Sequence, residues 1–302
     1  MSDATPTLLL LGATGQVGHE LRRTLAPLGS VRVPGRDEVD LADAESLRQA
    51  VDEDAPDLIV NAAAYTDVDG AEDEPDRAAQ FNVHAPRVLA EAARKTEAWL
   101  VHYSTDYVFD GEARVPYTED DLPNPINVYG ETKRDGEAAI QDVGGRYVLL
   151  RTSWVYSHRR SNFARTMLGL ADDHDPLTVV DDQIGVPTWA GWIAEATAAI
   201  GEHLLATGDP SRRGLYHLVG AGQTSWYGFA RAIFAQFGRT DVEVEPVPTS
   251  EYPTPAPRPA YTVLDSTRVR DTFGLSVPPW TAQLARFREG GREAERNEGT
   301  AQ

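Results

Sequence analysis

The sequence predicts an α/β fold, a doubly wound parallel sheet of the Rossmann type joined to a smaller α/β lobe. Short apolar runs alternate with helical segments through the first half of the chain, which is typical of parallel sheets with right-handed crossovers. A glycine-rich turn, Gly12-Ala-Thr-Gly-Gln-Val-Gly18, follows the first apolar run and opens a helix. Together these two observations favour a βαβ arrangement over an all-helical or all-strand fold.

The first half contains five apolar runs short enough to be strands. Strands buried on both faces need continuous rather than alternating apolar residues. The runs are Leu8–Leu11, Val31–Val33, Leu58–Val60, Leu100–Tyr103 and Tyr147–Leu150. Helices are predicted from the glycine turn to about Ala26, and at Glu45–Val51, Pro75–Lys95 and Tyr129–Gln141.

The second half is less regular. It predicts helices at Phe163–Leu170, Trp189–Leu205 and Trp226–Phe237, and strands at Leu177–Val180 and Leu215–Val219. The segment Pro246–Pro259 contains six prolines and is predicted to be an irregular loop or a cover over a site. Residues 291–302 are polar and charged, and we expect a disordered tail there.

Composition excludes several classes of function. The chain has 302 residues, a net charge of −19 and no cysteine, which excludes disulfides and thiolate metal sites. Such an acidic surface repels nucleic acids and anionic membranes. We find no basic leader before the first apolar run and no membrane-length apolar run. These features predict a cytoplasmic protein, and its acidity fits either solubility or adaptation to high salt.

The glycine turn is the first candidate binding element. Gly12, Gly15 and Gly18 would let the backbone turn sharply and approach a pyrophosphate at a helix N-terminus. Similar turns also occur without a ligand, but this position at the first strand-to-helix turn favours a dinucleotide. The spacing resembles that of extended short-chain dehydrogenases. Residues 1–155, with about 181–220 returning to them, are therefore predicted to form the dinucleotide-binding domain, and 156–180 and 221–290 the substrate-binding lobe.

Two further strand ends extend the predicted cofactor site. Arg36 follows the second strand, where an arginine receives the 2′-phosphate of NADPH and an acidic residue bonds the 2′-hydroxyl of NADH. Asp37 and Asp40 are close by, so NADPH is favoured and NADH stays open. The third strand runs into small residues that would leave room for the cofactor or pack closely against a helix, namely Asn61-Ala62-Ala63-Ala64-Tyr65-Thr66.

The pair Tyr129 and Lys133 is the strongest chemical signal. Of 28 basic residues only Lys95 and Lys133 are lysines, and residues four apart share one helix face. A phenol has a pKa near 10, and an adjacent ammonium together with a nicotinium charge should lower that pKa. We therefore expect Thr105, at the end of the fourth strand, to bind a carbonyl oxygen, Tyr129 to protonate it, and Lys133 to hold the nicotinamide ribose.

Several longer motifs resemble the dTDP-4-dehydrorhamnose reductase family. They include His102-Tyr-Ser-Thr-Asp-Tyr-Val-Phe109, Asn127-Val-Tyr-Gly-Glu-Thr-Lys133, Arg151-Thr-Ser-Trp-Val-Tyr156, Asn162-Phe-Ala-Arg-Thr-Met167, Asp182-Gln-Ile-Gly-Val-Pro-Thr188, Gly214-Leu-Tyr-His-Leu-Val219 and Tyr252-Pro-Thr-Pro-Ala-Pro-Arg-Pro259. The resemblance runs from about Leu8 to about Trp280. It implies reduction of a 4-keto nucleotide sugar to dTDP-L-rhamnose with NADPH or NADH.

The resemblance also implies roles for individual residues. Tyr129 matches the proton donor, Lys133 its partner and Thr105 the carbonyl-binding hydroxyl. Matches to cofactor contacts are Gly15, Gln16, Val17, Asp40, Leu41, Ala64, Tyr65 and Thr66; matches to substrate contacts are Thr105, Asp106 and Trp154. Some members dimerise through glutamate-bound magnesium, and a homodimer is compatible with this chain. Only Glu20 fits such a site, so no metal is predicted.

Other residues and other functions carry weaker signals. Arg258, in the proline-rich segment, could clamp a diphosphate bidentately, whereas His102 and His217 fall in strand patterns and are interpreted as core histidines. A dehydratase or epimerase of the same superfamily is disfavoured because Thr105-Asp106-Tyr107 lacks a second acid. A reductase of another nucleotide 4-keto sugar and a non-catalytic regulatory subunit remain alternatives. The second is disfavoured because a binding subunit has no need for the trio of Thr105, Tyr129 and Lys133.

Overall fold

A six-stranded parallel sheet forms the centre of the protein. The structure is a computed structural model, which describes residues 5–171 and 176–299, with side chains to residue 291. The strand order is β10-β5-β4-β3-β1-β2, and all the pairs are parallel. The strands are β1 (Thr7–Leu11), β2 (Ser30–Arg32), β3 (Leu58–Asn61), β4 (Trp99–Thr105), β5 (Arg146–Thr152) and β10 (Gly214–His217). The predicted doubly wound α/β fold is confirmed.

Helices cover both faces of this sheet, and three pairs of short strands lie outside it. The helices are α1 (Gln16–Thr24), α2 (Ala44–Asp54), α3 (Gly70–Asp73), α4 (Pro75–Ala79), α5 (Ala85–Thr96), α6 (Val128–Val143), α7 (Phe163–Leu170), α8 (Ala190–Thr207), α9 (Trp226–Phe237), α10 (Thr267–Phe273) and α11 (Trp280–Gly299). The short strands are β6 (Val155–Tyr156), β7 (Leu177–Val180), β8 (Ile184–Gly185), β9 (Thr188–Trp189), β11 (Thr224–Ser225) and β12 (Val244–Val247). They pair as β6 with β9, β7 with β12 and β8 with β11.

The continuous apolar runs are explained by two cores, one on each side of the sheet. In β1, Leu8 and Leu10 belong to one buried cluster, whereas Leu9 and Leu11 belong to the other. Because successive side chains of a strand point to opposite faces, a strand covered on both sides needs apolar residues at every position. The first cluster also includes Phe229 of α9, so the sheet and the lobe share one apolar core.

The predicted single helix over Pro75–Lys95 is interrupted. Residues 80–84 form a π-helical turn between α4 and α5. Pro86 has no backbone N–H to donate to the carbonyl of residue 82, which removes one bond of a regular helix. The side chain of Asn82, within this turn, is fully buried. Such π turns are frequent at functional sites, and this one faces helix α6 through close contact of Gly136 with the Asn82 carbonyl.

The end of the chain and the proline-rich segment differ from expectation. Residues 291–299, predicted to be disordered, continue helix α11, and their glutamate, alanine and arginine content also favours helix; residues 300–302 lie outside the described part. Pro246 is not in a loop but in the edge strand β12. The rest of the segment crosses the start of α6, where Asn127 Nδ2 donates to the Pro257 carbonyl at 2.9 Å. None of the described helices is long and apolar enough to cross a membrane.

A buried ion pair fixes helix α6 to strand β5. Arg151 donates from Nε to Glu137 Oε1 at 2.8 Å and from Nη2 to Glu137 Oε2 at 2.6 Å. Both side chains are almost fully buried, so each charge depends on the other for compensation. The pair therefore sets the position of α6, which carries Tyr129 and Lys133.

Replacing Glu137 with alanine should lower the free energy of unfolding by about 3–5 kcal/mol, because the Arg151 charge would be left buried and unpaired. The matched control is Asp52→Ala, which breaks the exposed Lys95–Asp52 pair and should cost about 0–1 kcal/mol. Urea unfolding of both variants measures the difference. Equal costs would show that the buried pair does not hold the helix.

Candidate active site

The ends of the parallel strands bring the predicted site residues to one edge of the sheet. The glycine turn follows β1, the alanine run follows β3, Thr105 ends β4, and Trp154 lies two residues after β5. Parallel strands point their carboxyl ends to the same edge, which is where open α/β sheets bind ligands. The candidate site is therefore a product of topology.

The glycine turn lies directly on the segment after β3. Gly12 has a φ of +80°, and a Cβ there would lie 2.5 Å from the Ala63 backbone nitrogen. A Cβ on Gly18 would overlap the Gly12 carbonyl oxygen. Gly15 caps α1, and a Cβ there would meet only the Gly12 carbonyl within 3.4 Å. The first and third glycines thus close the turn, and Ala62 and Ala63 pack beneath it.

Gln16 and its neighbours tie this turn to the lobe. Gln16 Oε1 accepts hydrogen bonds from Ser157 Oγ at 2.9 Å and from Asn162 Nδ2 at 3.0 Å. The Thr14 carbonyl accepts from Arg160 Nε at 3.0 Å. The side chain of Gln16 is therefore a structural link in this structure, while its backbone lies in the first turn of α1 beside Val17.

The loop after β2 exposes Arg36. The neighbouring acid Glu38 is engaged by the Gly35 N–H at 3.0 Å and by Arg32 at 3.7 Å. Among the side chains of residues 5–171 and 176–291, no acidic group pairs with Arg36. Asp40 bonds the Ala42 N–H within its own loop, and Leu41 packs against the core below α2. The guanidinium is thus available to an anion.

Asn82 is a site residue that the sequence analysis missed. Its Oδ1 accepts from the Tyr65 N–H at 3.0 Å, and its Nδ2 donates to the Tyr65 carbonyl and to Thr132 Oγ1, both at 3.1 Å. It thereby joins the segment Ala64-Tyr65-Thr66 to helix α6. The only sequence signal was an asparagine within an otherwise helical stretch.

Tyr129 is the second residue of α6 and lies next to the end of β4. Asn127 caps the helix through Gly130 N at 2.8 Å. The Tyr129 side chain lies near Thr105, and its ring meets the Tyr107 ring edge-on with centroids 5.8 Å apart. Burial raises the pKa of Tyr129 to about 12, although the nearby Thr105 side chain opposes this rise. The phenol is therefore protonated across the neutral range.

Lys133 is buried, with 3% of its surface exposed. Its Nζ donates to the Tyr103 carbonyl at 2.6 Å and lies 3.5 Å from His102 Nε2. Burial lowers the pKa of Lys133 to about 8, against the opposing charge of Glu137. The expectation that this ammonium lowers the pKa of Tyr129 is wrong for this structure, because Lys133 bonds strand β4 and desolvation dominates the phenol.

Each of the predicted substrate residues has partners within the protein. Asp106 is buried, accepts from Thr105 Oγ1 at 3.1 Å, and burial raises the pKa of its carboxyl to about 7. Trp154 has a φ of +45° and stacks on Trp226 with centroids 3.6 Å apart. Arg258 forms an ion pair with Asp69 at 2.8 Å and lies over the Tyr107 ring.

No group of three or more His, Cys, Asp or Glu side chains suited to a metal ion occurs in the part of the chain that the structure describes. The titratable groups of the site are Asp106, Tyr129 and Lys133, and these favour proton transfer.

Comparison with known proteins identifies the family. The sequence profile of the RmlD substrate binding domain matches residues 6–291. A dTDP-4-dehydrorhamnose reductase of Burkholderia thailandensis is 46% identical over 286 residues, covering 90% of this chain and 95% of that protein. The chain belongs to the dTDP-4-dehydrorhamnose reductase family.

Solved structures of the family agree with the fold. The dTDP-4-dehydrorhamnose reductase of Bacillus anthracis, crystallised with NADP, superimposes with a TM-score of 0.87 at 34% identity, covering 94% of this chain and 98% of that chain.

A sequence relative from Streptomyces antibioticus has a different name. It is described as a probable dTDP-4,6-dihydroxy-2-methyloxan-3-one 4-ketoreductase. It is 40% identical to this chain, and the match covers 91% of this chain and 92% of that protein.

Replacing Gly12 with alanine should abolish binding of NADPH and destabilise the fold, because the new methyl would overlap the Ala63 backbone. The matched control is Gly274→Ala, which also has a positive φ, of +67°, in the left-handed region but no atom within 4 Å of the added Cβ; it should cost only about 1–2 kcal/mol of backbone strain. Fluorescence titration with NADPH and thermal unfolding test both variants. Unchanged NADPH affinity in Gly12→Ala would contradict a pyrophosphate site at this turn.

Proposed function

We propose that this protein reduces dTDP-4-dehydro-L-rhamnose to dTDP-L-rhamnose by hydride transfer from NADPH. The proposal is supported by the placement of Tyr129 and Lys133 one turn apart on α6, the helix beside the end of β4 that carries Thr105, in a chain of the dTDP-4-dehydrorhamnose reductase family. The protein would act in the cytoplasm, without a membrane or nucleic-acid partner.

The site fits a nicotinamide dinucleotide. The closed turn at Gly12 and Gly18 presents the N-terminus of α1, whose free N–H groups and dipole favour a pyrophosphate. Exposed Arg36 lies where a 2′-phosphate is received. NADPH, when bound, supplies the hydride, and Arg36 favours it over NADH.

Proton transfer is assigned to Tyr129. The hydroxyls of Thr105 and Tyr129 lie near each other, and the carbonyl oxygen of the substrate would be held between them. A phenol with a pKa of about 12 is fully protonated at neutral pH and therefore in the form that a general acid needs. Thr105 would orient the carbonyl, Tyr129 would donate its proton to the developing alkoxide, and Lys133 would bind the ribose of the cofactor.

The nucleotide sugar carries two negative charges on its diphosphate, and the net charge of this protein is −19. Local cations must therefore receive it. Arg258 lies at the start of α6 with its ion pair to Asp69 on one side, and we assign it to the diphosphate. Trp154, held by Trp226, would pack against the sugar, and Asp106 would hydrogen-bond it.

A reductase of a different dTDP-4-keto sugar is the second candidate. It is favoured by the relative from Streptomyces antibioticus, which is described as a 4-ketoreductase of another dTDP sugar. Steady-state assays of NADPH oxidation with both keto sugars, each generated enzymatically, decide between them through their ratios of kcat/KM.

Changing Tyr129 to phenylalanine should lower kcat by about 10²–10⁴ with little change in NADPH affinity, because it removes a general acid and leaves the ring in place. Tyr107→Phe is the matched control. It deletes a phenol hydroxyl from the neighbouring ring and should retain most of the turnover. Stopped-flow NADPH oxidation measures both. Full activity in Tyr129→Phe would remove this residue from its role.

Changing Arg36 to aspartate should weaken the binding of NADPH by at least about tenfold relative to the binding of NADH, because a charge-assisted contact to the 2′-phosphate is replaced by repulsion. Arg23→Asp makes the same charge change at an exposed position of α1 and should leave the preference unchanged. Comparison of KM for the two cofactors tests this. A parallel loss for both cofactors would mean that Arg36 does not contact the 2′-phosphate.

A further inference from the structure

Behind Lys133 lies a chain of two buried polar side chains that the catalytic proposal does not use. Asn61 ends β3 and His102 lies in β4, and the two residues are direct register partners in the sheet. Both are almost fully buried, at 1% and 2% exposure. Asn61 Nδ2 lies 3.0 Å from His102 Nδ1, and His102 Nε2 lies 3.5 Å from Lys133 Nζ. The sequence had been interpreted as giving His102 only a core role.

The hydrogen bonds of Asn61 determine which nitrogen of His102 carries hydrogen. The Ala63 backbone N–H donates to Asn61 Oδ1 at 3.1 Å, so this atom must be the amide oxygen. The amide nitrogen then faces His102, where it can only donate, and Nδ1 must be the acceptor. A ring whose Nδ1 is unprotonated carries its hydrogen on Nε2. The network thus assigns the tautomer.

This tautomer directs an N–H at the lysine. Burial and the nearby Lys133 charge hold the pKa of His102 well below its usual value, so the ring is neutral. An ammonium at Lys133 would meet the positive end of the Nε2–H bond, whereas a neutral amine could accept that hydrogen. In the described residues, one oxygen, the Tyr103 carbonyl, accepts from Nζ, while an ammonium has three hydrogens to donate.

The other charges near Lys133 do not cancel this arrangement. Glu137, one turn along α6, favours the ammonium, but its two oxygens are held by Arg151. Asp106, in the turn after β4, acts on the phenol of the site rather than on Lys133. Glu72 of α3 accepts the Val128 N–H at the start of α6.

We propose that Asn61 and His102 are positioning residues for Lys133: the amide fixes the imidazole tautomer, and the imidazole presents its Nε2–H to Nζ, which favours the neutral amine of Lys133 over its ammonium. The inference deepens the role assigned to Lys133 in the proposed reduction. Its tests use the free protein, so they stand or fall independently of the reaction.

The chain allows a direct measurement because it contains only two lysines. In protein labelled with ¹³C at the lysine Cε, one signal belongs to Lys133 and the other to Lys95, which is exposed and paired with Asp52. We expect the Lys133 signal to titrate near pH 8, since burial lowers its pKa to about 8. Titration of both signals together would overturn the proposal.

The tautomer is measured in the unmodified protein. Long-range ¹H–¹⁵N correlation spectra of histidine-labelled protein distinguish a ring protonated on Nε2 from one protonated on Nδ1, and His102→Phe assigns the signal. We expect the Nε2–H form throughout the neutral range. An Nδ1–H form or a charged ring would overturn the proposal without requiring any variant at Asn61 to fold.

Asn61→Asp reverses the tautomer with a nearly isosteric side chain. The carboxylate can still accept from the Ala63 N–H but must also accept from His102, so the ring hydrogen moves to Nδ1 and Nε2 becomes an acceptor for the Lys133 ammonium. The pH at which the Lys133 signal titrates should then rise by about 1 unit or more. In the double variant with His102→Phe, most of this rise should disappear. A rise of the same size in the double variant, which lacks the imidazole, would assign the effect to the charge of the introduced carboxylate alone and would overturn the proposal.

Discussion

One buried ion pair determines where the reacting groups of this protein lie. Glu137 and Arg151 compensate each other between α6 and β5, and neither charge is tolerated there without its partner. Since residues four apart share a helix face, fixing Glu137 also fixes Lys133 one turn earlier and Tyr129 two turns earlier. On the opposite side, Gly136 lets α6 approach the π-helical turn at Asn82. Contacts on two sides therefore hold α6 in place, and the position of the helix sets the positions of Tyr129 and Lys133.

Burial at this position changes the two reacting groups in opposite directions. It raises the pKa of Tyr129 and lowers that of Lys133, because desolvation favours the neutral form of either group. The expectation from the sequence was that the charge of Lys133 lowers the pKa of Tyr129. In the structure, the lysine bonds the Tyr103 carbonyl instead. The result at neutral pH is a protonated phenol, which suits proton donation better than an ionised phenol would, and a lysine that loses its proton more readily because it is buried.

The features that were predictable from sequence depend on local patterns. Leu8–Leu11 was recognised as a buried strand because each of its residues must be apolar, and the glycine turn because φ at Gly12 excludes other residues. What was missed depends on contacts between distant segments. Asn82 forms hydrogen bonds with Tyr65, which lies 17 residues earlier in the chain, and with Thr132, which lies 50 residues later. Pro86 was a local signal for the helix interruption, but its effect was not anticipated.

The retention of lysine at position 133 follows from what its pocket can accept. The chain uses arginine at almost every other basic position, and the exposed Lys95–Asp52 pair makes no demand that an arginine could not meet. At position 133 the described partners are one carbonyl oxygen and one imidazole edge. A guanidinium brings five N–H donors and does not lose its proton in proteins, so it would be left buried, charged and poorly bonded. Lysine is the basic side chain that can enter this pocket and give up its charge, and the same property makes it sensitive to the imidazole behind it.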